Sequence, residues 1–309
     1  MSVILQILMM CVGFALLITG ADKFVEGASG VATKFKIPQI IIGLTIVAMG
    51  TSAPEAAVSI SGALSGSPEL SIGNAIGSNI LNILFILGIV GCIVPLTVSK
   101  EVVKRDTPIM VAVTVLLFCM CRKGSVDRID GVILIVAFIV YLLVLIKFAL
   151  ANKQGEEKES TETRSISRLL ILSLFGLCAI VCGSKITVSS ATEIATALGV
   201  SERVIGLTVI AFGTSLPELV TSIIAAKKGS ADIAIGNIVG SNIFNILLIL
   251  GLSALICPLP VAAGFVTDGV VVILASILLA ICIYADKLLS RAEAMIFLVC
   301  YGVYFITLL

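Results

Sequence analysis

The sequence predicts an all-α integral membrane protein with ten transmembrane helices, arranged as two inverted five-helix repeats in which helices 2 and 7 are broken. Three observations predict it. Hydrophobic residues make up 59% of the 309 positions, mean hydropathy is +1.21 and only 13% of residues are charged, far from the composition of a soluble domain. Apolar runs of the ~20 residues that cross a bilayer as helix recur along the whole chain. Finally, one half of the chain repeats the other at a constant offset of 163 residues.

The expected spans are 3–20, 38–63, 70–93, 106–121, 129–150, 168–184, 201–226, 232–256, 266–285 and 292–309. The first begins within MSVILQILMM, which lacks a positive leading region and continues apolar to Gly20, so it reads as a retained spanning helix rather than a cleaved signal. Between spans five and six lies NKQGEEKESTETRSIS, the only long polar stretch. The chain therefore divides into a first repeat (1–150), a linker (151–167) and a second repeat (168–309).

The repeat is written plainly in GLTIVAMGTSAPEAAVSISGALSGSPELSIGNAIGSNILNILFILG (43–88) and its copy at 206–251, with 27 of 46 positions identical and no gap. The offset also pairs Gly20 with Gly183, Arg128 with Arg291, Asp130 with Glu293 and Tyr141 with Tyr304. Five spans is an odd number, so the second copy enters the membrane from the opposite side. Inverted repeats are how many secondary transporters obtain two related conformations around a midplane site. Lys and Arg sort fifteen to five between the two sides. The richer side, which holds the linker, is expected to be cytoplasmic and both termini outside, in a multi-pass protein of the plasma membrane.

Other function classes are excluded by what is scarce. With 20 basic and 19 acidic residues and a net charge of +1, no basic face exists to bind nucleic acid. The chain has no histidine, which removes the usual base of triad hydrolases and the HExxH zinc motif, so no enzyme activity is expected. The nine cysteines lie in apolar runs without metal-site spacing and read as small core residues. No cofactor motif and no obligate protein partner is evident.

The chemistry is concentrated in two motif pairs. GTSAPE (50–55) and GTSLPE (213–218) each sit inside a long apolar span, where proline removes a backbone hydrogen bond and breaks the helix. Carbonyls of Ala48, Thr51, Ala211 and Thr214 are the candidates to face inward, since unpaired backbone at membrane depth must line a cavity or lie buried in protein. Glu55 and Glu218 are the decisive residues: an intramembrane carboxylate is costly and marks an ion pathway. No basic residue sits mid-span to pair with them, so two carboxylates meeting at the midplane require a cation or protons. With the hydroxyls of Thr51, Ser52, Thr214 and Ser215, the donors are all oxygen, which selects Ca2+, Mg2+ or alkali cations over zinc, copper or iron.

The second pair is GNAIGSNILN (73–82) and GNIVGSNIFN (236–245). Asn74, Ser78 and Asn82 recur every four residues, as do Asn237, Ser241 and Asn245, forming a polar stripe on one helix face. Ser78, Asn82, Ser241 and Asn245 are expected to be further ligands; Asn74, Asn79 and their copies read equally well as interhelical packing. Asp22, Lys23, Glu26, Lys185 and Glu193 read as interfacial anchors at span ends. Asp130 and Glu293 read as charges at helix N-termini.

Together the motif pairs resemble the α-repeats of the cation/calcium exchanger superfamily, most closely its prokaryotic sodium/calcium exchanger branch. The resemblance covers the whole chain. It implies that Glu55 and Glu218 bind calcium with the carbonyls of Thr51 and Thr214. It also implies sodium sites that share these glutamates and add Ser52, Ser215, Ser78, Ser241 and the carbonyls of Ala48 and Ala211. Where some relatives carry aspartate, Asn82 and Asn245 are neutral, which keeps the site near −2 and argues against potassium dependence. The transported ions are then Ca2+ and Na+, and the expected function is a sodium/calcium antiporter using the sodium gradient to extrude calcium by alternating access. A proton/calcium antiporter and a cation channel are the alternatives.

Overall fold

The computed structural model describes residues 3–65, 67–152, 163–199, 211–261 and 264–308. Most of the linker, Arg203 and the first half of the seventh expected span lie outside the described residues. Nearly everything described is helical, as a chain rich in Leu, Ile, Val and Ala must be if its backbone polar groups are to be satisfied in lipid.

In order, the helices of the first half are α1 (Val3–Phe35), α2 (Gln39–Thr51), α3 (Ala53–Ser65) and α4 (Leu70–Ile93), then α5 (Thr107–Cys121) and α6 (Arg128–Asn152). The second half contributes α7 (Ile166–Ala197), α8 (Ala211–Thr214), α9 (Leu216–Lys227), α10 (Ala231–Ile256), α11 (Phe265–Asp286) and α12 (Arg291–Leu308). Among the described residues six helices are long and apolar enough to cross a membrane, and α2 with α3, bent by 50° at their break, makes a seventh span.

Two of these helices form the centre. The apolar windows of α4 and α10 are 72% and 83% buried, against 22% for α1 and α6, so the polar stripes ride on the innermost helices and the purely apolar sequences face outward. On α6, Ile129, Val132, Val136, Ile139, Val140 and Leu143 are exposed, as lipid-facing residues must be.

Two short antiparallel ladders tie the halves together. β1 (Leu96–Thr97) pairs with β4 (Leu288–Leu289), and β2 (Ser125–Val126) pairs with β3 (Leu259–Pro260). Helix α5 separates β1 from β2, so the two ladders sit at opposite ends of the bundle.

α1 and α7 are longer than expected, 33 and 32 residues, because each is held along its length by the other rather than limited by bilayer thickness. Gly13, Gly20 and Gly27 recur every seven residues on α1 and meet Gly183, Gly176 and Ser173 on α7, where any added Cβ would lie under 3.0 Å from the facing helix. Small residues permit this backbone approach.

The extra length carries several charged residues along the helices themselves. Asp22, Lys23, Glu26 and Glu193 lie inside the long helices, not at their ends. Asp22 is shared by Lys23 (3.3 Å) and Lys228 (2.7 Å), Glu26 by Lys23 (3.0 Å) and Arg164, and Glu193 accepts from the buried Gln6. These pairs link α1 to α7, to the segment just before α7 and to the residue that follows α9.

The cysteine reading is corrected too. Only Cys121 is buried, while Cys11, Cys119, Cys178 and Cys182 are exposed, because an apolar side chain gains little from choosing protein over lipid. The N-terminal charges behave as expected. Glu293 accepts from the Ser290 amide at 2.8 Å at the start of α12, and Asp130 from the Asp127 amide at 2.9 Å at the start of α6, the reciprocal capping arrangement that satisfies free amides at a helix start.

Candidate cation site

The α2–α3 break centres on Ser52 (φ −82°, ψ 11°) and the α8–α9 break on Ser215 (φ −92°, ψ 5°). Both serines occupy the sparsely allowed region between helix and strand, and the prolines two residues on have no amide to continue the preceding helix. Each break opens a new helix whose first turn carries the glutamate, Glu55 on α3 and Glu218 on α9, at the end where the helix dipole favours negative charge.

The two breaks are interlocked. Ser52 Oγ donates to Glu218 Oε1 at 2.8 Å, and Ser215 Oγ donates to Glu55 Oε1 at 3.1 Å. Thus each half's serine holds the other half's carboxylate. Thr214 lies within hydrogen-bonding reach of Glu55, and Thr51 of Glu218. Thr51 Oγ1 also donates to Asn237 Oδ1 at 2.9 Å. Both glutamates are fully buried, with 1% and 0% exposure, and among the described residues no lysine or arginine is paired with them.

The stripes close over the breaks. Asn74 Nδ2 donates to the Glu55 carbonyl (3.2 Å) and Ser59 Oγ (2.9 Å), and its copy Asn237 to the Glu218 carbonyl (3.4 Å) and Ser222 Oγ (2.9 Å). Hence both amides clamp the start of a glutamate-bearing helix. Ser241 Oγ lies 3.5 Å from both the Ala48 carbonyl and Glu218 Oε1. Its counterpart Ser78 is buried, but among the described residues no hydrogen bond joins it to either glutamate. The halves are not identical.

Asn82 and Asn245 stand where α4 and α10 loosen into a π-turn, Leu81–Ile86 and Asn245–Leu250, a distortion frequent at functional sites. Each gives its amide hydrogens to the opposite half: Asn82 Nδ2 to Asn242 Oδ1 at 3.0 Å, Asn245 Nδ2 to Asn79 Oδ1 at 3.0 Å. From the sequence, Asn79 and Asn242 read equally well as ligands or as packing. The signal that singles them out is their position three residues before Asn82 and Asn245, one helical turn back on the same face.

One expected ligand is modified by the geometry. The Ala48 carbonyl keeps a helical partner, the Ser52 amide at 3.0 Å, because the break falls after it, and it can offer a cation only its second lone pair. The Ala211 carbonyl lies in α8, in the same register.

What remains unpaired is informative. Among the buried side-chain atoms without a hydrogen-bond partner are Glu55 Oε2, Glu218 Oε2, Asn82 Oδ1 and Asn245 Oδ1. They form two repeat-related pairs, and all are oxygens. Buried acceptors left without donors cost about 1–3 kcal/mol each, more when charged, which a hard cation would offset. Among the described residues no group of three or more His, Cys, Asp or Glu side chains could hold a metal. Two carboxylates assisted by neutral oxygens suit a cation that must also leave.

A family model described as sodium/calcium exchanger protein matches residues 5–147 and 168–309. The chain belongs to the sodium/calcium exchanger family. It is 41% identical over 256 residues to the putative antiporter CaxA of Alkalimonas amylolytica, covering 80% of this chain and 79% of that one. It is 33% identical to the sodium/calcium exchanger MaX1 of Methanosarcina acetivorans, covering 97% of each. In three dimensions this exchanger superposes on the sodium-calcium exchanger NCX_Mj, soaked with Na+ and Ca2+, with a TM-score of 0.88, 33% identity and full coverage of both chains. It is thus a multi-pass membrane protein of the prokaryotic branch and an ion-transporting antiporter in kind.

Proposed function

We propose that this exchanger is a secondary-active antiporter in which sodium, entering down its gradient, drives calcium out of the cell through a site exposed alternately to each side of the plasma membrane. Calcium occupies Glu55 and Glu218 with the carbonyls of Thr51 and Thr214. Sodium uses the same carboxylates with Ser52, Ser215, Ser78, Ser241 and the carbonyls of Ala48 and Ala211, and Asn82 and Asn245 turn their amide oxygens inward. The observation that carries this reading is the set of four buried, unpaired oxygens on two halves of one repeat. Because both ions need both carboxylates, occupancy is competitive, and that competition couples the two fluxes.

The transport cycle rests on ten spans in two inverted halves, 1–150 and 168–309, with the termini outside and the 151–167 linker in the cytoplasm. The ladders support the inversion. Adding the offset of 163 carries Leu96 to Leu259 and Ser125 to Leu288, so the β1–β4 pair maps onto β3–β2 at the other end of the bundle. Two parallel copies would put equivalent strands at the same end.

The test is uptake of radioactive calcium into proteoliposomes loaded with sodium and diluted into sodium-free buffer. Uptake should require internal sodium. Uptake driven instead by a pH gradient would make the protein a proton/calcium antiporter, and uptake without any exchanging ion would make it a channel. In the same assay Asn82→Asp should tighten calcium binding, since it adds a third carboxylate near two existing ones. Unchanged calcium affinity would remove Asn82 from the site.

A further inference from the structure

Asn79 and Asn242 belong to no ligand set, yet they meet the two ligand amides across the middle of the molecule. Asn242 Oδ1 accepts a hydrogen bond from Asn82 Nδ2 (3.0 Å), and Asn79 Oδ1 accepts one from Asn245 Nδ2 (3.0 Å). Asn79 Nδ2 donates in turn to the Asn242 carbonyl at 3.1 Å, which fixes its own orientation. All four side chains are buried, with exposures of 0–1%.

A primary amide can enter a site either way round. Presented through oxygen it attracts a cation; flipped by 180°, it presents two N–H donors and repels one. Burial raises the stakes, because no water compensates a wrong orientation. In this exchanger an N–H of each amide is engaged by an asparagine of the other half, and the amide oxygen is what remains unpaired. The bonds run from α4 to α10 in one direction and from α10 to α4 in the other.

We infer that Asn79 and Asn242 are positioning residues, which hold the carboxamides of Asn245 and Asn82 with their oxygens toward the transported cation, each half thereby orienting a ligand of the other. The inference rests on the cation site proposed above. It gives a physical reason for a neutral amide at these positions: aspartate needs no such partner, because both of its ends are oxygen.

Asn242→Leu and Asn79→Leu remove the acceptor while keeping the volume. Outer-shell partners of this kind are worth roughly 10–100-fold in metal affinity, so KM for calcium in the proteoliposome assay should rise by at least about tenfold with kcat little changed. Asn242→Asp keeps the acceptor and gives up only the Nδ2 contact to Met110 Sδ at 3.6 Å; it should bring KM back to the wild-type value or below. A double-mutant cycle separates positioning from structure: adding Asn242→Leu to Asn82→Ala should cost nothing further, because the amide it positions is gone. Unchanged KM in both leucine variants, a fall in kcat alone, or full additivity with Asn82→Ala would each overturn the inference. If the wild-type protein shows no saturable calcium uptake at all, the calcium site itself fails and the positioning role fails with it.

Discussion

Calcium uptake is expected to fall to the background of empty liposomes when either Glu55 or Glu218 is replaced by glutamine. Glutamine keeps the volume of the side chain and an Oε1 able to accept from Ser215 or Ser52, so the interlock between the two breaks survives. The charge is lost, and one carboxylate oxygen becomes an N–H donor. Each glutamate supplies half the negative charge that a divalent ion meets in a buried, low-dielectric site, so the effect should exceed the roughly 10–100-fold that loss of an outer-shell partner produces. Removing a buried charge also relieves desolvation, so both variants should remain folded and elute as the wild type does in size-exclusion chromatography. Wild-type uptake by either variant would remove that glutamate from the site. Loss of the folded peak would mean that the carboxylates serve structure instead.

The second large effect lies away from the site. A methyl group added at Gly176 would stand 2.4 Å from the Phe24 backbone nitrogen and 2.7 Å from the Gly20 carbonyl oxygen. Backbone cannot rotate aside, so α1 and α7 must part. Overpacking of this kind costs about 1–3 kcal/mol and occasionally more, and rigid neighbours favour the upper end. Gly176→Ala should therefore lower Tm by several degrees in a detergent thermal-shift measurement. Gly302→Ala, whose Cβ would meet nothing within 4 Å on α12, should leave Tm unchanged. Equal Tm for wild type and Gly176→Ala would show that the helices have room to adjust.

Much of this molecule was legible from its residues, because the signals involved are local. Two mid-span prolines beside glycine mark broken helices whatever surrounds them, and the α2–α3 bend appears where GTSAPE stands. Two mid-span glutamates without a mid-span basic partner stand out as the candidate cation ligands from the sequence alone. By contrast, the length of α1 and α7 was misjudged, since hydropathy measures where a chain enters polar surroundings and not how far a packed partner prolongs a helix. The cysteines were misassigned for a related reason: in lipid an apolar residue carries no record of which way it faces.

Sidedness within the site needed the three-dimensional fold. Composition, the repeat at offset 163 and the spacing of Glu55, Asn82 and their copies determine a membrane protein with two related halves and an oxygen-lined site, because each depends on residues close together in the chain. Which serine steadies which carboxylate, and which asparagine orients which amide, depends on pairs such as Ser52 with Glu218 and Asn82 with Asn242, 166 and 160 residues apart. Tertiary packing alone brings such pairs within 3 Å of each other, and the crossing of the bonds from one half to the other follows from how α4 and α10 meet at the centre of the bundle.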